Sequence, residues 1–280
     1  MTSATTISSS PVLHPVPRTA ILIPAYNAEG IIGKALRSLS FNKEPHDIIV
    51  VDDGSREPLE KHLAPQPNLK ILRAERNLGI TRALNFGMRH VLESGYDYVA
   101  RLDADDAAAP ERLALQRAYL DEHPEVALVG SWGRVVSEEG SNLFFLNHPT
   151  DHEAIVRELY YNSTFLHPSL MIRTDILGRI GLYSEHYPSA EDYELVRRIA
   201  HYAKVANLPQ YLIDYTSSTG GISQRRRREQ LRSRLKVQWR YRNFGNPHFY
   251  AGIAKTLVLW FMPHDTITSI KMRLKGYRQQ

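Results

Sequence analysis

Short apolar runs alternate along the N-terminal half of the chain with segments whose apolar residues recur at helical spacing. Ala20–Ile23 is a continuous apolar run that ends at Pro24, and Glu29–Leu39 then carries apolar residues at positions 32, 36 and 39. Such patterns predict a buried strand followed by an amphipathic helix. The same alternation predicts strands at 48–51, 69–72 and 98–102 and a helix around 84–92. Strands that are apolar on both faces are typical of sheets covered by helices on both sides, so we predict an α/β fold with a mostly parallel sheet.

Beyond residue 109 the pattern is less regular. Pro110 suits the first turn of a helix, which we predict to run to residue 122. The further predicted elements are a strand at 126–129, a helix near 153–160, an apolar patch at 170–172, a helix at 191–202 and a strand near 211–214. From Gln224 the composition changes to basic helix, which places a boundary near Gly220 and Gly221.

The composition is that of an ordinary globular protein with an appendage. The 280 residues are 42% hydrophobic and 23% charged. We expect a mobile lead-in at 1–17 that is rich in Ser, Thr and Pro, a main domain at 18–221 and a basic amphipathic helical tail at 222–280. The absence of cysteine excludes a disulfide framework, a thiolate metal site and a cysteine nucleophile. No secretory signal is expected, because the first ten residues lack a charged start and an apolar core.

The tail differs sharply from the main domain in charge. Residues 1–221 hold 21 Lys and Arg against 28 Asp and Glu, whereas residues 222–280 hold 14 against 2. Three tail segments combine basic residues with an apolar stripe, formed by Leu231, Leu235 and Trp239, by Ile253, Leu257, Trp260 and Phe261, and by Ile267, Ile270 and Leu274. Basic helices with aromatic residues suit an anionic membrane surface.

Two alternatives for the tail stay open. Nucleic acid is disfavoured, because no recognised binding motif accompanies the basic run. Apolar stripes that pack on the main domain, with the charges in solvent, also explain the pattern. The apolar run Leu257–Met262 is far shorter than the roughly 20 residues of a spanning helix, so we expect no transmembrane segment.

Polar and acidic groups follow three of the predicted strands, at Pro24–Asn27, Asp52–Ser55 and Asp103–Asp106. Ligands of open parallel sheets bind outside the carboxyl ends of the strands. The Gly-rich turn of a nicotinamide dehydrogenase and the Gly-Lys-Ser/Thr of a P-loop are both absent after the first strand. Asp103 and Asp105 are spaced to converge on one hard cation such as Mg²⁺, which takes one or two protein carboxylates and completes its shell with water and phosphate oxygens. The alternative is that these acids only cap the following helix.

Five short motifs, in this order, resemble the signatures of the family 2 inverting glycosyltransferases with the GT-A fold. They are 19–27 (a strand then Pro-Ala-Tyr-Asn), 50–55 (Val-Val-Asp-Asp-Gly-Ser), 76–79 (Arg-Asn-Leu-Gly), 102–106 (Leu-Asp-Ala-Asp-Asp) and 189–193 (Ser-Ala-Glu-Asp-Tyr). The resemblance covers about residues 18–223 and implies a Rossmann-like GT-A sheet flanked by helices.

The resemblance also implies roles for individual residues. Asp192 resembles the general base, Asp105 the ligand of Mn²⁺ or Mg²⁺, and Asp103 a contact on the ribose side. The residues implied in nucleotide binding are Pro24, Ala25 and Tyr26 in the nucleoside pocket, Asp53, with Asp52, on the base edge, and Arg82 near the base or diphosphate. Ordinary structural roles compete with these: a turn at 24–27, a tight loop at 52–54, a solvated helix face for Arg82, and first-turn acids that complement a helix dipole at 191–194.

One part of the chain departs from the family. Many relatives carry Tyr-Arg-x-His after the last strand, where the His reaches the metal or phosphate, but this chain has Tyr215-Thr216-Ser217-Ser218 and no His between His201 and His248. Weak or water-completed metal binding is therefore expected. His167-Pro168-Ser169 resembles a family segment near the acceptor site, although a His beside Pro is commonly structural.

The expected function is therefore that of a metal-dependent inverting hexosyltransferase. It would move a sugar from a nucleotide diphosphate, with a UDP-sugar favoured, to a hydroxyl of a glycan or lipid-linked saccharide in cell-surface polysaccharide synthesis, in the cytoplasm or at the inner face of the membrane. Inversion needs one base and one electrophile at the leaving diphosphate, which Asp192 and a cation on Asp105 would supply. A catalytically weak sugar-nucleotide-binding or membrane-adaptor protein of the same fold is the alternative. A nucleotidyltransferase is disfavoured, because it would need a Gly-rich basic loop.

Overall fold

The structure, a computed structural model, describes residues 18–217 and 227–262. The strands are β1 (Thr19–Ala25), β2 (Asp47–Asp52), β3 (Leu69–Arg73), β4 (Tyr98–Arg101), β5 (Ala107–Ala108), β6 (Val126–Val136), β7 (Asn142–Leu146), β8 (Met171–Arg173) and β9 (Lys204–Thr216). The helices are α1 (Ile32–Leu39), α2 (Ile80–Glu93), α3 (Arg112–Glu122), α4 (His152–Glu158), α5 (Thr174–Ile180), α6 (Glu191–Tyr202), α7 (Arg227–Arg240) and α8 (Pro247–Phe261). The expected lead-in at 1–17 and the third basic segment of the tail lie outside the described residues.

Within the described residues, nine strands form one curled sheet in the order β3-β2-β1-β4-β8-β6-β9-β5, with β7 paired to β6. β1 pairs in parallel with β2 and with β4, so the carboxyl ends of these three strands share one edge. β8 runs antiparallel between β4 and β6, and β9 is parallel to β6. The predicted α/β architecture with a mostly parallel sheet is confirmed.

Alternate residues of the central strands face two apolar layers. Leu22 and Val51 belong to a layer with α2, α5 and α6, whereas Ile21 and Val50 belong to a layer with α1 and α3. All seven residues of β1 are buried, which explains its unbroken apolar run. Helices on both faces thus hold the carboxyl edge of the sheet in a fixed position.

Two strands of the second half extend further than predicted. The strand predicted at 126–129 continues to Val136, and the one predicted near 211–214 is the end of the 13-residue β9. Small or polar residues interrupt both apolar patterns, although each strand continues through buried residues such as Val135 and Val205. β5, β7 and α5 were not predicted, and the helices expected from Glu29 and Pro110 begin at Ile32 and Arg112.

The described part of the tail forms two helices that pack on the main domain. Val237 of α7 is fully buried in the layer that contains α6. Gln238 donates a hydrogen bond to the carbonyl of Tyr160 at 2.7 Å, and Gly252 of α8 contacts the same carbonyl so closely that a Cβ atom there would lie 2.0 Å from it. Packing therefore accounts for one face of the tail. In the described ranges, no helix combines the length and the hydropathy that crossing a bilayer requires.

Candidate active site

An acidic loop, residues 103–106, connects β4 to β5 at the carboxyl edge of the sheet. β5 pairs with the end of β9, and Asp106, which is fully buried, accepts a hydrogen bond from the backbone N–H of Thr216 at 2.7 Å. The hydroxyl of Thr216 donates to the carbonyl of Asp105 and accepts from Lys34 Nζ at 2.7 Å. Burial, with the charges of Asp103 and Asp105, raises the pKa of Asp106 to about 8. Asp106 therefore anchors the loop, while Asp103 and Asp105 remain partly exposed.

A buried arginine orients the first aspartate of the acidic loop. Arg101 is 1% exposed and donates to Asp103 Oδ1 at 2.6 Å. Burial opposes the ionisation of Asp103, but the charge of Arg101 outweighs it and holds the pKa of Asp103 below its usual value. Burial and the charge of Asp103 raise the pKa of Asp105. Asp103 thus has a positively charged partner, whereas Asp105 is repelled by the charge of Asp103.

The donor set of the acidic loop fits a hard divalent cation. Asp103 and Asp105 offer only carboxylate oxygens and line the same cavity. Among the described residues, no group of three or more His, Asp or Glu is placed to enclose a metal ion. A site with two protein carboxylates is typical of Mg²⁺-like ions that also bind phosphate oxygens and water. A bound cation would also relieve the repulsion between the two aspartates.

Two adjacent carboxylates occupy the first turn of α6, which directly follows Ser189, a residue with φ of 60°. Asp192 is half-buried and lines the cavity, and burial raises its pKa. Glu191 is 7% exposed, and its Oε2 has no hydrogen-bond partner in the described part of the chain. Burial and the charge of Asp192 raise the pKa of Glu191 to about 7. Asp192 is therefore the more open of the two.

The loop after β2 binds the backbone of the segment that precedes Arg82 in α2. Asp53 accepts hydrogen bonds from the backbone N–H groups of Leu78 and Gly79 at 2.7 and 3.0 Å. Gly54 has φ of 69°, and a Cβ atom there would lie 2.3 Å from the carbonyl carbon of Arg76. The Asp-Asp-Gly and Asn-Leu-Gly motifs thus meet in space, which brings Arg82 of α2 to the cavity.

Asp52 and the last residues of β1 are held by contacts within the protein. Asp52 is 1% exposed, caps the backbone N–H groups of Ser55 and Leu59, and pairs with Arg73 at 2.5 Å. Pro24 and Ala25 are buried strand residues, and Tyr26 is 50% exposed. The contacts with a nucleoside implied for these four residues, and for Asp53, stay predictions, because none of them lines the cavity described next.

A cavity of about 820 Å³ joins the polar elements of this edge. It brings together four of the predicted site residues, Arg82, Asp103, Asp105 and Asp192, from α2, the acidic loop and α6. Arg82 donates to Glu185 at 2.8 Å across its wall. The acidic loop, the start of α6 and an arginine thus surround one space.

Sequence reasoning missed two further groups in the cavity wall. Arg101 and Tyr215 both line it, beside His167, which belongs to a segment that resembles a family segment near the acceptor site. His167 Nε2 lies 2.8 Å from the hydroxyl of Tyr183, and burial lowers the pKa of His167 to about 3, so the ring is neutral at pH 7. An arginine inside an otherwise apolar strand was the signal that could have identified Arg101.

Comparison with known proteins places the chain in a family. The model of "Glycosyl transferase family 2" matches residues 20–181. The chain belongs to this family. Among its relatives, the amylovoran biosynthesis glycosyltransferase AmsE of Erwinia amylovora is 30% identical over 228 residues, which are 78% of this chain and 83% of AmsE. An uncharacterized glycosyltransferase of Haemophilus influenzae is 28% identical over 71% of this chain, which spans 65% of that protein. The family and the enzyme class, a glycosyltransferase, are as predicted.

Solved structures resemble this family 2 glycosyltransferase in fold. Residues 1–349 of S. aureus TarS in complex with UDP-GlcNAc superpose with a TM-score of 0.63 and 23% identity, over 86% of this chain and 71% of that one. The mannosyltransferase PcManGT from Pyrobaculum calidifontis, in complex with GDP-Man and Mn²⁺, gives 0.64 and 17%, over 94% and 82%. The predicted GT-A type fold is confirmed.

Proposed function

We propose that this family 2 glycosyltransferase is a metal-dependent inverting enzyme that transfers a sugar from a nucleotide diphosphate, with a UDP-sugar favoured, to a hydroxyl of a glycan or lipid-linked saccharide. The observation that carries the proposal is that one cavity is lined by Asp103 and Asp105 from the acidic loop and by Asp192 from the start of α6. Such a pair of sites supplies what inversion needs, a base for the acceptor hydroxyl and charge stabilisation for the leaving diphosphate.

In the proposed reaction, Asp192 takes the proton of the acceptor hydroxyl as that oxygen attacks the anomeric carbon. The bond between this carbon and the diphosphate oxygen breaks, and the sugar is transferred in one in-line step with inversion. Asp103 and Asp105 would hold a divalent cation, Mn²⁺ or Mg²⁺, which neutralises charge on the diphosphate. Arg82 adds a positive side chain at the same cavity, and Asp53 with Pro24–Tyr26 would contact the nucleoside.

The relatives support this substrate class. An Escherichia coli relative, named UDP-Gal:alpha-D-GlcNAc-diphosphoundecaprenol beta-1,3-galactosyltransferase, is 23% identical over 80% of this chain and 83% of its own length. AmsE is named for the biosynthesis of amylovoran. These names favour a role in bacterial cell-surface polysaccharide synthesis. We propose that residues 18–221 are the catalytic domain and that the enzyme acts in the cytoplasm or at the inner face of the membrane.

Contact with an anionic membrane surface is part of the proposal. Leu257, Val258 and Phe261 share the outer face of α8 and are 44%, 57% and 81% exposed. Arg232 and Lys236 are exposed on α7. An apolar face beside basic residues is the combination that binds at a lipid interface.

Donor binding and turnover test the proposed function. A panel of UDP-, GDP- and dTDP-sugars is titrated with and without Mn²⁺ while thermal shift and release of the nucleoside diphosphate are recorded. We expect a UDP-sugar to stabilise the protein more strongly with the metal and to be hydrolysed slowly. Metal-dependent binding without any turnover, even with saccharide acceptors, would favour the weak binding protein instead, and no binding of any nucleotide sugar would contradict the proposal.

A further inference from the structure

A second large cavity, the cationic cleft, lies between α6 and α7 and the residues that follow α7. Its volume is about 1020 Å³, and the described residues that line it include five Arg and Lys and no Asp or Glu. A smaller adjoining cavity shares Tyr187, Arg198, Tyr202 and Arg240 with it. The single carboxylate of that smaller cavity, Glu194, is paired with Arg198 at 2.8 Å and accepts from the hydroxyl of Tyr241 at 3.2 Å. The cleft is therefore strongly electropositive.

The cations of the cleft divide into two groups. Arg197 and Arg198 serve the protein itself: Arg198 donates to the carbonyls of Ile180 and Leu182 at 2.7 and 2.6 Å, and the guanidinium of Arg197 stacks on a tyrosine ring at 4.4 Å. Three others, Lys236, Arg240 and Arg242, are exposed, and none forms an ion pair with a carboxylate of the described residues. Arg240 and Arg242 lie over the rings of Tyr241 and Trp239 at 5.9 and 5.8 Å, and Arg242 donates one N–H to the carbonyl of Trp239 at 3.4 Å, so their other N–H groups stay open to solvent. These three are available for an anionic ligand.

Aromatic rings border the cleft on the side of α8. Trp239 and Phe244 line it, are 58% and 60% exposed, and have ring centroids 6.3 Å apart. Tyr250, at 54% exposure, donates to the carbonyl of Phe244 at 3.1 Å and continues this surface onto α8. Cations inside a cleft next to exposed aromatic rings match a ligand with a phosphate group and an apolar chain.

The cleft is a neighbour of the active-site cavity. Helix α6 carries Asp192 in its first turn and Arg198 and Tyr202 further along, which places them about 9 and 15 Å from Asp192 along the helix axis. The segment 184–189 separates the two spaces, since Glu185, Pro188 and Ser189 line the active-site cavity while Ser184, His186 and Tyr187 line the cleft or its extension. A short oligosaccharide that crosses this segment would connect them.

We propose that the cationic cleft binds the diphosphate of a lipid-linked saccharide acceptor. Lys236, Arg240 and Arg242 contact the phosphates, Trp239 and Phe244 contact the first part of the hydrocarbon chain, and the saccharide extends toward Asp192. This inference rests on the proposed function and names its acceptor class. The headgroups of an anionic bilayer carry the same phosphate chemistry, but a recessed site with converging cations suits a ligand that enters it, whereas a bilayer presents a flat surface.

Direct binding of farnesyl diphosphate to the full-length protein tests the cleft without turnover. The triple variant Lys236→Gln, Arg240→Gln, Arg242→Gln changes only exposed side chains, and Arg232→Gln is the matched control, because Arg232 is exposed on the same helix outside the cleft. With UDP and Mn²⁺ present to fill the donor site, we expect the triple variant to lose about tenfold or more in affinity and the control to bind like wild type. Inorganic pyrophosphate, which lacks the chain, should bind more weakly to wild type.

Three outcomes would overturn the inference: equal affinity of wild type and triple variant, no binding to wild type, or equal binding of pyrophosphate. Vesicles of phosphatidylglycerol form the second arm. If these bind wild type and not the triple variant while farnesyl diphosphate does not bind, the cations face lipid headgroups instead. The thermal shift with UDP-sugar and Mn²⁺ is measured on every variant. Absence of that thermal shift in the wild type and in every variant would contradict the proposed function. Absence of farnesyl diphosphate binding alone would contradict only the proposed role of the cationic cleft.

Discussion

Asp192 and Glu191 are neighbours in sequence but have different surroundings, which separates their expected roles. Both side chains line the cavity, but Asp192 is half-buried, whereas Glu191 is 7% exposed and has one unpartnered oxygen among the described residues. We expect Asp192→Asn to lower transfer by about 10²-fold or more, because a positioned base is lost, and to leave donor affinity unchanged. Single-turnover rates and donor titrations measure the two effects. An equal loss of donor affinity would make Asp192 a binding residue.

The pH dependence of transfer distinguishes the two carboxylates further. Burial raises the pKa of Asp192, so the base becomes protonated at a higher pH than an ordinary aspartate does. The transfer rate should therefore rise with pH through a pKa above 3.8, and Glu191→Gln should retain this acid limb. If Glu191→Gln removes an acid limb near pH 7, where Glu191 titrates, then Glu191 is the base.

Asp105 is the residue on which metal-dependent donor binding should depend. Asp103 is already held by Arg101 at 2.6 Å, so it cannot replace Asp105 as the main ligand of a cation. We expect Asp105→Ala to reduce donor affinity in Mn²⁺ to the value without metal. Isothermal titration with and without Mn²⁺ measures this. A variant whose donor affinity still increases with metal would contradict the assignment.

Sequence motifs located the acidic loop and the start of α6, because each lies directly after a strand or at a helix start, where local pattern is informative. They did not reveal the surroundings of Asp52, whose partner Arg73 lies on a neighbouring strand. Nor did they reveal Arg101 or Tyr215, since their place in the cavity depends on contacts between β4, β5 and β9. Contacts between distant segments leave no periodicity in the chain.

At the scale of elements, the fit of α8 against the main domain depends on one glycine. A Cβ atom at Gly252 would lie 2.0 Å from the carbonyl oxygen of Tyr160, a backbone atom that has little freedom to move. We expect Gly252→Ala to destabilise the protein by about 1–3 kcal/mol, as overpacking does. Gly178→Ala in α5 is the control, because a Cβ there meets nothing within 4 Å, and it should stabilise by up to about 1 kcal/mol. Urea unfolding of both variants gives the comparison, and equal stabilities would disprove the close contact.

The elements that were predicted well are the buried ones. Helix α6 was predicted with its observed bounds, because its acidic first turn and its apolar positions both follow helical rules. β6 and β9 were predicted short, because Gly130 and Ser131 interrupt the apolar run of β6, and Pro209 and Gln210 interrupt that of β9. Both strands continue past these residues, since they pair with each other along most of their length.

For the molecule as a whole, the charge difference between body and tail predicts salt-sensitive binding to anionic vesicles. Screening shortens the reach of each exposed charge to about 8 Å at physiological ionic strength, so added salt should weaken the binding. Replacing Leu257, Val258 and Phe261 by Ser removes the exposed apolar face of α8 and should abolish the part of the binding that resists salt. Co-sedimentation with phosphatidylglycerol vesicles measures both. Full-length protein that ignores such vesicles at low salt would refute membrane contact.

Removal of the tail is expected to damage the body. Val237 is fully buried beside α6, and Gln238 is 1% exposed. A chain that ends at residue 221 would expose this apolar surface, so we expect a lower unfolding temperature than that of the full chain. Differential scanning calorimetry checks this, and an unchanged transition would show that the body is stable by itself.

The pairing of β5 with β9 affects the order of folding during synthesis on the ribosome. Thr216 lies 110 residues beyond Asp106, to which it donates its N–H. At translation rates of about 5–20 residues per second, Thr216 is therefore synthesised roughly 5–20 s after the acidic loop that it anchors. β1, β2 and β4 pair over shorter stretches of chain and need no such delay. A nascent chain can thus form the loops after β1 and β2 before the acidic loop is anchored, and we expect no cleavage of a donor before β9 has emerged.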